Sequence, residues 1–556
     1  MENLPPVNSI PARNRPGRLW PWLVVLAVLL FAGFIRVRLL DLPLERDEGE
    51  YAYAGQLILE GIPPYELAYN MKLPGTYFAY AAGMAVFGQT IAGVHLTLLV
   101  ANSLTIILMF LLGRKLFGVT GGLVACAGYG VMSASPVVAG LAAHATHFVV
   151  LFAVAATLLL LTARETNRSR TLFLSGLLYG LAFLMKQQGV FFGVFGWSFL
   201  AWQAARNRTF FSADFSRRSF IFGLGTILPF GLICLVLAMA GVFSEFWFWI
   251  FTYARFYVTA TPWAEGIRIL RAYLGDTFDL ASGFWLIAAM GLPLALVGKE
   301  FRRRAVWVAF FSLCSMLGTA TGLYFRPHYF ILLLPAVALI LGMAVVSLQR
   351  ALNFRVVGNV LRTLPVVLFA TVLAWVLFYQ SRVLFQMSPN QACQSLYSLN
   401  PFVESLSVAG YIREHSAKDA RIAVVGSEPQ IYFYAQRHSA TGYIYTYALM
   451  ELQPNALKMQ REMIREIESA RPEYLVYVAY GFSWIFRPGS DRTILRWFDE
   501  YAGRDYEEVG VVRLNSAGKV ECLWNVTSAH PAKPEGQYLA IYKRKPDLKI
   551  SPAKPD

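Results

Sequence analysis

Apolar positions in this chain fall in long unbroken runs separated by short polar stretches. The runs are Trp20–Leu40, Ile91–Leu112, Val119–Val138, Phe148–Thr162, Leu172–Met185, Val190–Ala205, Phe220–Val242, Leu280–Val297, Ala305–Tyr324, His328–Leu348 and Leu364–Tyr379. Most approach the length that crosses a hydrocarbon core of about 30 Å as a helix. Alternate polar stretches are basic: Arg114 and Lys115; Arg164, Arg168 and Arg170; Arg206, Arg208, Arg217 and Arg218; Lys299, Arg302, Arg303 and Arg304; Arg350, Arg355 and Arg362. Lysine and arginine concentrate on the cytoplasmic side of membrane proteins. With Arg13, Arg15 and Arg18 ahead of the first run, the pattern predicts eleven crossings and a cytoplasmic N-terminus. Everything beyond about Arg382 then lies outside. The first run is too long for a signal-peptide core and is read as a retained anchor.

Two segments stand apart from the series. Leu73–Phe87 is short for a span, and a crossing there would leave Gln89 and Thr90 as a cytoplasmic turn without a cation. It is read as a helix at the outer interface, with Tyr77, Phe78 and Tyr80 near headgroup depth. Ser244–Asp279 reads as a long outer loop whose aromatic residues suit an amphipathic lid. The predicted fold is therefore a polytopic α-helical membrane protein of about 11 spans plus interfacial helices, with a C-terminal extracytoplasmic α/β domain.

Composition changes sharply after Ser381. Arg421–Gly426, Tyr474–Ala479 and Gln537–Lys543 read as strands. Asn455–Ser469 and Arg492–Tyr501 read as helices, the first with Met459, Met463, Ile464 and Ile467 at helical spacing. Alternating strands and helices suggest a small α/β layer. The divisions are a tail at 1–19, a membrane unit at 20–381 with its first outer loop at 41–74, an α/β unit at 382–543, and a disordered tail at 544–556.

The chain is 56% hydrophobic and 15% charged, unlike soluble proteins. Its net charge of +15 sits mainly at the ends of apolar runs, which argues against nucleic acid as the partner. Of five cysteines, Cys126, Cys234 and Cys314 lie in apolar runs. Cys393 and Cys522 lie in the terminal unit, where a disulfide and two free thiols are both open. That unit has Gly426 after a strand but no nucleotide-loop pattern.

Against this basic background, Asp41–Pro74 carries seven carboxylates and two cations. Asp47 and Glu48 begin what reads as a short helix continuing through Tyr51 and Tyr53. Acids favour a helix N-terminus through its dipole, so a purely structural reading is open. The other reading is a general base at an outer-surface active site, where a carboxylate needs tuned basicity. Burial and neighbouring acids would raise its pKa. Outer-facing cations Lys72, Lys186, Arg255, Arg268, Arg271 and Arg326 are candidates to hold an anionic leaving group, or simply snorkel at the interface. His328 and Tyr329 are candidates for the same pocket. His144 and His147, three residues apart, offer either structural polar contacts or, with Asp47, a metal site.

The segment RDEGEYAYAGQLILEG, followed by YNMKLPGTYF, resembles the first outer loop of GT-C glycosyltransferases of the family 39 type. These are the protein O-mannosyltransferases and lipid A aminoarabinose transferases. The resemblance implies that Asp47 is the essential acid, with Glu48 beside it, and that Lys72, with Tyr69, contacts a lipid-linked phosphate. It further implies a polyprenyl-phosphate-sugar donor and inversion at the anomeric carbon. Met71 stands where the aminoarabinose branch carries an acid, so the donor sugar is left open.

The expected function is transfer of a sugar from a polyprenyl-phosphate carrier to a glycan, lipid or protein acceptor at the outer face of a bacterial inner membrane. The site set is Asp47 and Glu48 as catalytic acids; Lys72, Tyr69, Lys186, Arg255, Arg271 and Arg326 at the phosphate; and Tyr51, His144, His147, His328 and Tyr329 lining the pocket. No cofactor is required by this reading, and a divalent metal is left open. An oligosaccharide ligase or polymerase shares the architecture. A transporter or flippase would place charges near the bilayer midplane and often show internal repeats. A scaffold would use the acidic loop to recruit partners.

Overall fold

The structure, a computed structural model, describes residues 19–353, 361–524 and 536–546. The basic residues Arg13, Arg15, Arg18 and Arg355, and the tail from residue 547 onward, lie outside the described residues.

In lipid every backbone polar group must be satisfied internally, and the apolar runs accordingly become helices. They are α1 (Trp20–Arg38), α4 (Ile91–Met132), α5 (Ala145–Thr166), α6 (Ser169–Met185), α7 (Val190–Arg206), α8 (Ala213–Met239), α11 (Trp263–Ala295), α12 (Lys299–Ala320), α13 (Leu334–Asn353) and α14 (Leu364–Tyr379). Between them lie α2 (Arg46–Leu59), α3 (Gly75–Phe87), α9 (Phe243–Trp247) and α10 (Ala254–Thr259). Among the described residues, seven helical stretches are long and apolar enough to cross a membrane, and α6 and α14 are shorter apolar helices. α4 takes in two predicted runs. Gly118, at φ +83°, breaks it just past Lys115, so the expected basic turn is a one-residue kink that only glycine adopts freely.

Two expectations need correction. α3 has 13 residues, about 20 Å of helix, too short for the hydrocarbon core. Its Tyr77 and Tyr80, however, are buried inside the protein instead of sitting among headgroups. The Tyr80 hydroxyl donates to Ala143 O at 2.7 Å. The expected outer loop is largely helical as well. A π-helical turn at Phe248–Tyr253 joins α9 to α10, and α11 begins already at Trp263, behind Pro262. Proline ahead of the first turn starts a helix without losing an intrahelical bond.

The C-terminal part holds a six-stranded sheet in the order β2-β1-β3-β6-β4-β5. The strands are β1 (Arg421–Val425), β2 (His438–Ser439), β3 (Tyr474–Val478), β4 (Tyr506–Leu514), β5 (Val520–Trp524) and β6 (Leu539–Arg544). β1 pairs in parallel with β2 and β3, and β6 runs antiparallel to both β3 and β4. β1, β3 and β6 match predicted strands. β4 and β5 were not anticipated, because they alternate charged and apolar residues without a continuous apolar run. All five cysteines are free thiols; Cys393 is buried, its Sγ 3.9 Å from Pro43 O.

The sheet half packs directly on α2. Leu44 N donates to Tyr434 Oη at 2.8 Å, Ser439 N to Tyr53 Oη at 2.7 Å, and Tyr69 N to Gly442 O at 2.7 Å. A Cβ added at Gly49 would stand 2.6 Å from Gln430, so this contact requires glycine. α2 is therefore enclosed by both halves, and Arg46, Glu48 and Glu50 on it are buried. It is not a helix resting on lipid with an open polar face.

Candidate active site

A capping box starts α2. The Glu45 side chain accepts from Glu48 N at 3.0 Å, and Glu48 Oε2 accepts from Glu45 N at 3.2 Å. This satisfies two amides that the first turn leaves without helical partners. The box also fixes the turn that carries Asp47, which lies between its two acids. Asp47 faces a cavity of about 450 Å³ between the helices and the sheet half. Its Oδ1 accepts from Lys72 Nζ at 2.7 Å and from Tyr445 Oη at 3.2 Å.

Lys72 is shared. Its Nζ also donates to Glu50 Oε2 at 2.7 Å, and Glu50 is held by Asn70 Nδ2 at 2.7 Å and Tyr77 Oη at 2.6 Å. Burial alone would push the Asp47 carboxyl up, but the adjoining Lys72 ammonium outweighs it and holds the group well below the usual carboxylate range. The expectation that burial and neighbouring acids would raise Asp47 is therefore corrected. The rise falls on two other carboxyls. Burial raises Glu45, aided by Asp47 and Glu48, and burial raises Glu50. Lys72 is held firmly charged, the two carboxylates overcoming its burial. One ammonium thus faces two carboxylates, one open to the cavity and one enclosed.

The far wall is cationic and aromatic. Lys186 Nζ lies 4.5 Å from the centre of the Tyr329 ring, and Arg326 lines the cavity beside it. Burial lowers the Lys186 ammonium to about 7, with Lys72 and Arg326 adding like-charge repulsion. His144 and His328 stack with ring centroids 4.2 Å apart and planes at 16°. The sheet half contributes Tyr445, Tyr447 and Phe482. These are anchored by a buried ion pair, Arg46 Nη2 to Glu428 Oε1 at 2.7 Å, with Arg46 Nη1 donating to Tyr447 Oη at 2.8 Å. The result is an enclosed site that sets the Asp47 carboxylate against basic side chains and stacking surfaces. It suits an anionic ligand carrying a sugar-like ring.

The comparisons with known proteins agree with this architecture. The family model described as dolichyl-phosphate-mannose-protein mannosyltransferase matches residues 72–233, beginning at Lys72 and leaving out Asp47. The chain is 28% identical over 355 residues to an undecaprenyl phosphate-alpha-4-amino-4-deoxy-L-arabinose arabinosyl transferase of Pseudomonas aeruginosa strain UCBPP-PA14. A Pseudomonas paraeruginosa relative of the same name is 28% identical over 356 residues. These alignments take in 58% of this chain, and the chain spans 60% of the length of these relatives. The crystal structure of ArnT from Cupriavidus metallidurans bound to undecaprenyl phosphate superposes with a TM-score of 0.57 at 13% identity, covering 94% of this chain and 98% of that one. Its apo form gives a TM-score of 0.56. The chain has the GT-C fold. The resemblance read from the first outer loop, to GT-C transferases of the protein mannosyltransferase and aminoarabinose transferase type, is met in both sequence and fold.

Of the residues expected at the site, this fold brings Asp47, Tyr51, Lys72, Lys186, Arg326, His144, His328 and Tyr329 together around one cavity. Others do not join them as expected. Glu48 is wholly buried away from the cavity, accepting from Ala143 N at 2.5 Å and paired with His95 Nε2 at 3.2 Å. It ties α2 to α4 and is not a companion acid. Tyr69 borders the cavity, but its hydroxyl turns to Glu466 Oε1 at 3.4 Å and its ring packs on Trp249 and Tyr443. Arg255 and Arg271 are exposed outside the cavity, because α10 and the start of α11 turn those positions outward. His147 is buried off the cavity, one turn into α5 from His144.

Glu50 was missed, although the spacing held the clue. On a helix, residues three apart share a face while adjacent ones do not. Glu50, not Glu48, is the acid on Asp47's side. Tyr445 also escaped notice, since nothing local marks a residue brought in from the sheet half, whereas Glu45 and Asn70 lie in the acidic loop itself and gain their place only through contacts made in the fold. The metal-capable set differs from the sequence expectation too. It is Asp47, His144 and His328, whose ligand atoms lie within 4.8 Å of one another, with His147 excluded.

Proposed function

We propose that this chain is an inner-membrane glycosyltransferase that moves one sugar from a polyprenyl-phosphate carrier to an acceptor at the outer face, inverting the anomeric carbon. In this reading the sheet half is extracytoplasmic and the N-terminus cytoplasmic, as the basic turns require. The observation that carries the proposal is Lys72 standing 2.7 Å from Asp47 within a cavity that Lys186 and Arg326 also line. The names of the Pseudomonas relatives and the lipid bound to the Cupriavidus protein support a donor of this class.

Asp47 takes the proton of the acceptor hydroxyl or amine as that atom bonds to the anomeric carbon. The bond from that carbon to the phosphate oxygen breaks, and its electron pair leaves with the carrier phosphate. Lys72, Lys186 and Arg326 offset the charge that develops there. The low basicity of Asp47 without donor is part of this mechanism. A phosphate that draws Lys72 toward itself removes the cation holding Asp47 down, so donor binding switches on the base. Glu50 stays with Lys72 and keeps the ammonium charged during the exchange. Aromatic residues from both halves, including Tyr329 and Tyr445, supply faces for the sugar.

The test is single-turnover transfer from a polyprenyl-phosphate-sugar by purified Asp47→Asn protein. Transfer should fall by about 10²–10⁴-fold while donor binding persists. Retained transfer would remove Asp47 as the base.

A further inference from the structure

We propose that the end of the helical bundle opposite Asp47 carries a binding site for the phosphate headgroup of an anionic glycerophospholipid. α5 starts at Ala145, beside the Asp47 cavity, and its 22 residues carry the chain about 33 Å to Thr166. There it meets the end of α7 and the start of α8. Together they enclose a second cavity, of about 310 Å³, whose lining includes Arg164, Asn167, Trp202, Gln203, Arg206 and Arg218. The sequence shows two separate basic turns here, and the fold joins them around one space.

The carboxylates nearby are already engaged. Asp214 accepts from Arg217 at 3.0 Å, and Glu165 from Lys115 at 2.5 Å. Arg218 donates to the Asn167 side-chain oxygen, and the Arg206 guanidinium lies 5.8 Å from the centre of the Trp202 ring. Among the described residues, Arg164, Arg206 and Arg218 pair with no carboxylate. Like charges held around one space repel, and an anion entering it turns that repulsion into attraction. Gln203 gives a second, independent sign. Its Nε2 is buried with no hydrogen-bond partner among the described residues, whereas buried polar atoms are nearly always satisfied. A phosphate oxygen accepts from this amide and from the arginine forks alike.

The rim argues for a lipid over free phosphate. Phe211 is 97% exposed, Phe220 is 69% exposed, and Trp202 turns 42% of its surface outward. Phe210 stacks on Phe215, which lines the cavity, with ring centroids 4.8 Å apart. Aromatic side chains set beside arginines match the boundary between acyl chains and headgroups, where both residue types gather. Basic pockets between membrane helices hold anionic headgroups in this way. The headgroup sits among the arginines, and its chains cover the outward faces of Trp202 and Phe211. The site is defined whatever group the chain transfers, so its test needs no turnover.

Purified full-length protein in detergent is titrated with phosphatidylglycerol or phosphatidylcholine and read by native mass spectrometry. The wild type should retain one phosphatidylglycerol under activation that strips phosphatidylcholine, and excess inorganic phosphate should not displace it. Arg164→Gln combined with Arg206→Gln should weaken retention at least about tenfold, and Gln203→Met about threefold or more. Arg168→Gln combined with Arg170→Gln removes two charges from the same end of the bundle but outside the cavity, and should leave retention unchanged. Should the first double variant fail to fold, Arg206→Lys, which keeps the charge and loses the fork, should show a smaller loss in the same direction. Equal retention of the two lipids, displacement by inorganic phosphate, an equal loss in the Arg168 and Arg170 control, or retention untouched in the cavity variants would each overturn the site.

Discussion

The charged residues at the two ends of the helical bundle are built differently. In the basic turns, ion pairs are local and wet. Arg217 and Asp214 sit three residues apart on α8, both more than half exposed, and Lys115 meets Glu165 at a partly exposed site. Around Asp47 itself, ion pairs are largely buried and reach across the chain, although Arg268 and Glu265 at the start of α11 form an exposed local pair. Arg46 meets Glu428 from 382 positions away with both side chains nearly or fully buried, and Lys72 bridges Asp47 and Glu50. Exposed pairs contribute little to stability, whereas breaking a buried pair leaves an uncompensated charge. The basic end thus keeps its paired charges solvated and local. The acidic end uses charge to hold the two halves together around the Asp47 carboxylate.

Substitutions can sharpen or break this contrast. Glu428→Gln should have the largest effect on stability, about 3–5 kcal/mol, because Arg46 is left buried and unpaired. Thermal unfolding in detergent measures it, and an unchanged melting temperature would mean that the sheet half docks without this pair. A smaller effect is expected from pH. The Lys186 ammonium is lowered to about 7 by burial, so it is charged below that value and neutral above it. Donor affinity should fall by up to about tenfold per pH unit above 7, and Lys186→Arg should flatten the dependence. The smallest effect belongs to the basic end. Asp214→Asn should change stability by less than about 0.5 kcal/mol and leave transfer rate unchanged. A clear loss there would erase the distinction between the two ends.

The apolar runs made the helices legible, because in hydrocarbon no other single segment satisfies its own backbone. The acidic first loop was legible through its sign reversal against a basic chain. What the pattern could not supply was pairing over distance. His144 meets His328, Asp47 meets Tyr445 and Arg46 meets Glu428, and no local periodicity encodes such contacts. Glu50 is the exception, because helical spacing places it on Asp47's face and turns the adjacent Glu48 away to His95. β4 and β5 were hidden because one of their faces is half solvated, which leaves too few apolar residues for a run.

In the proposed mechanism Lys72 exchanges Asp47 for a carrier phosphate. An experimental structure of the wild type with a polyprenyl-phosphate lipid bound tests it directly. Lys72 Nζ should lie within hydrogen-bond distance of a phosphate oxygen and still touch Glu50, with Asp47 released and facing the anomeric position. A bound phosphate that leaves Lys72 seated on Asp47, or that sits outside the cavity lined by Lys186 and Arg326, would contradict it.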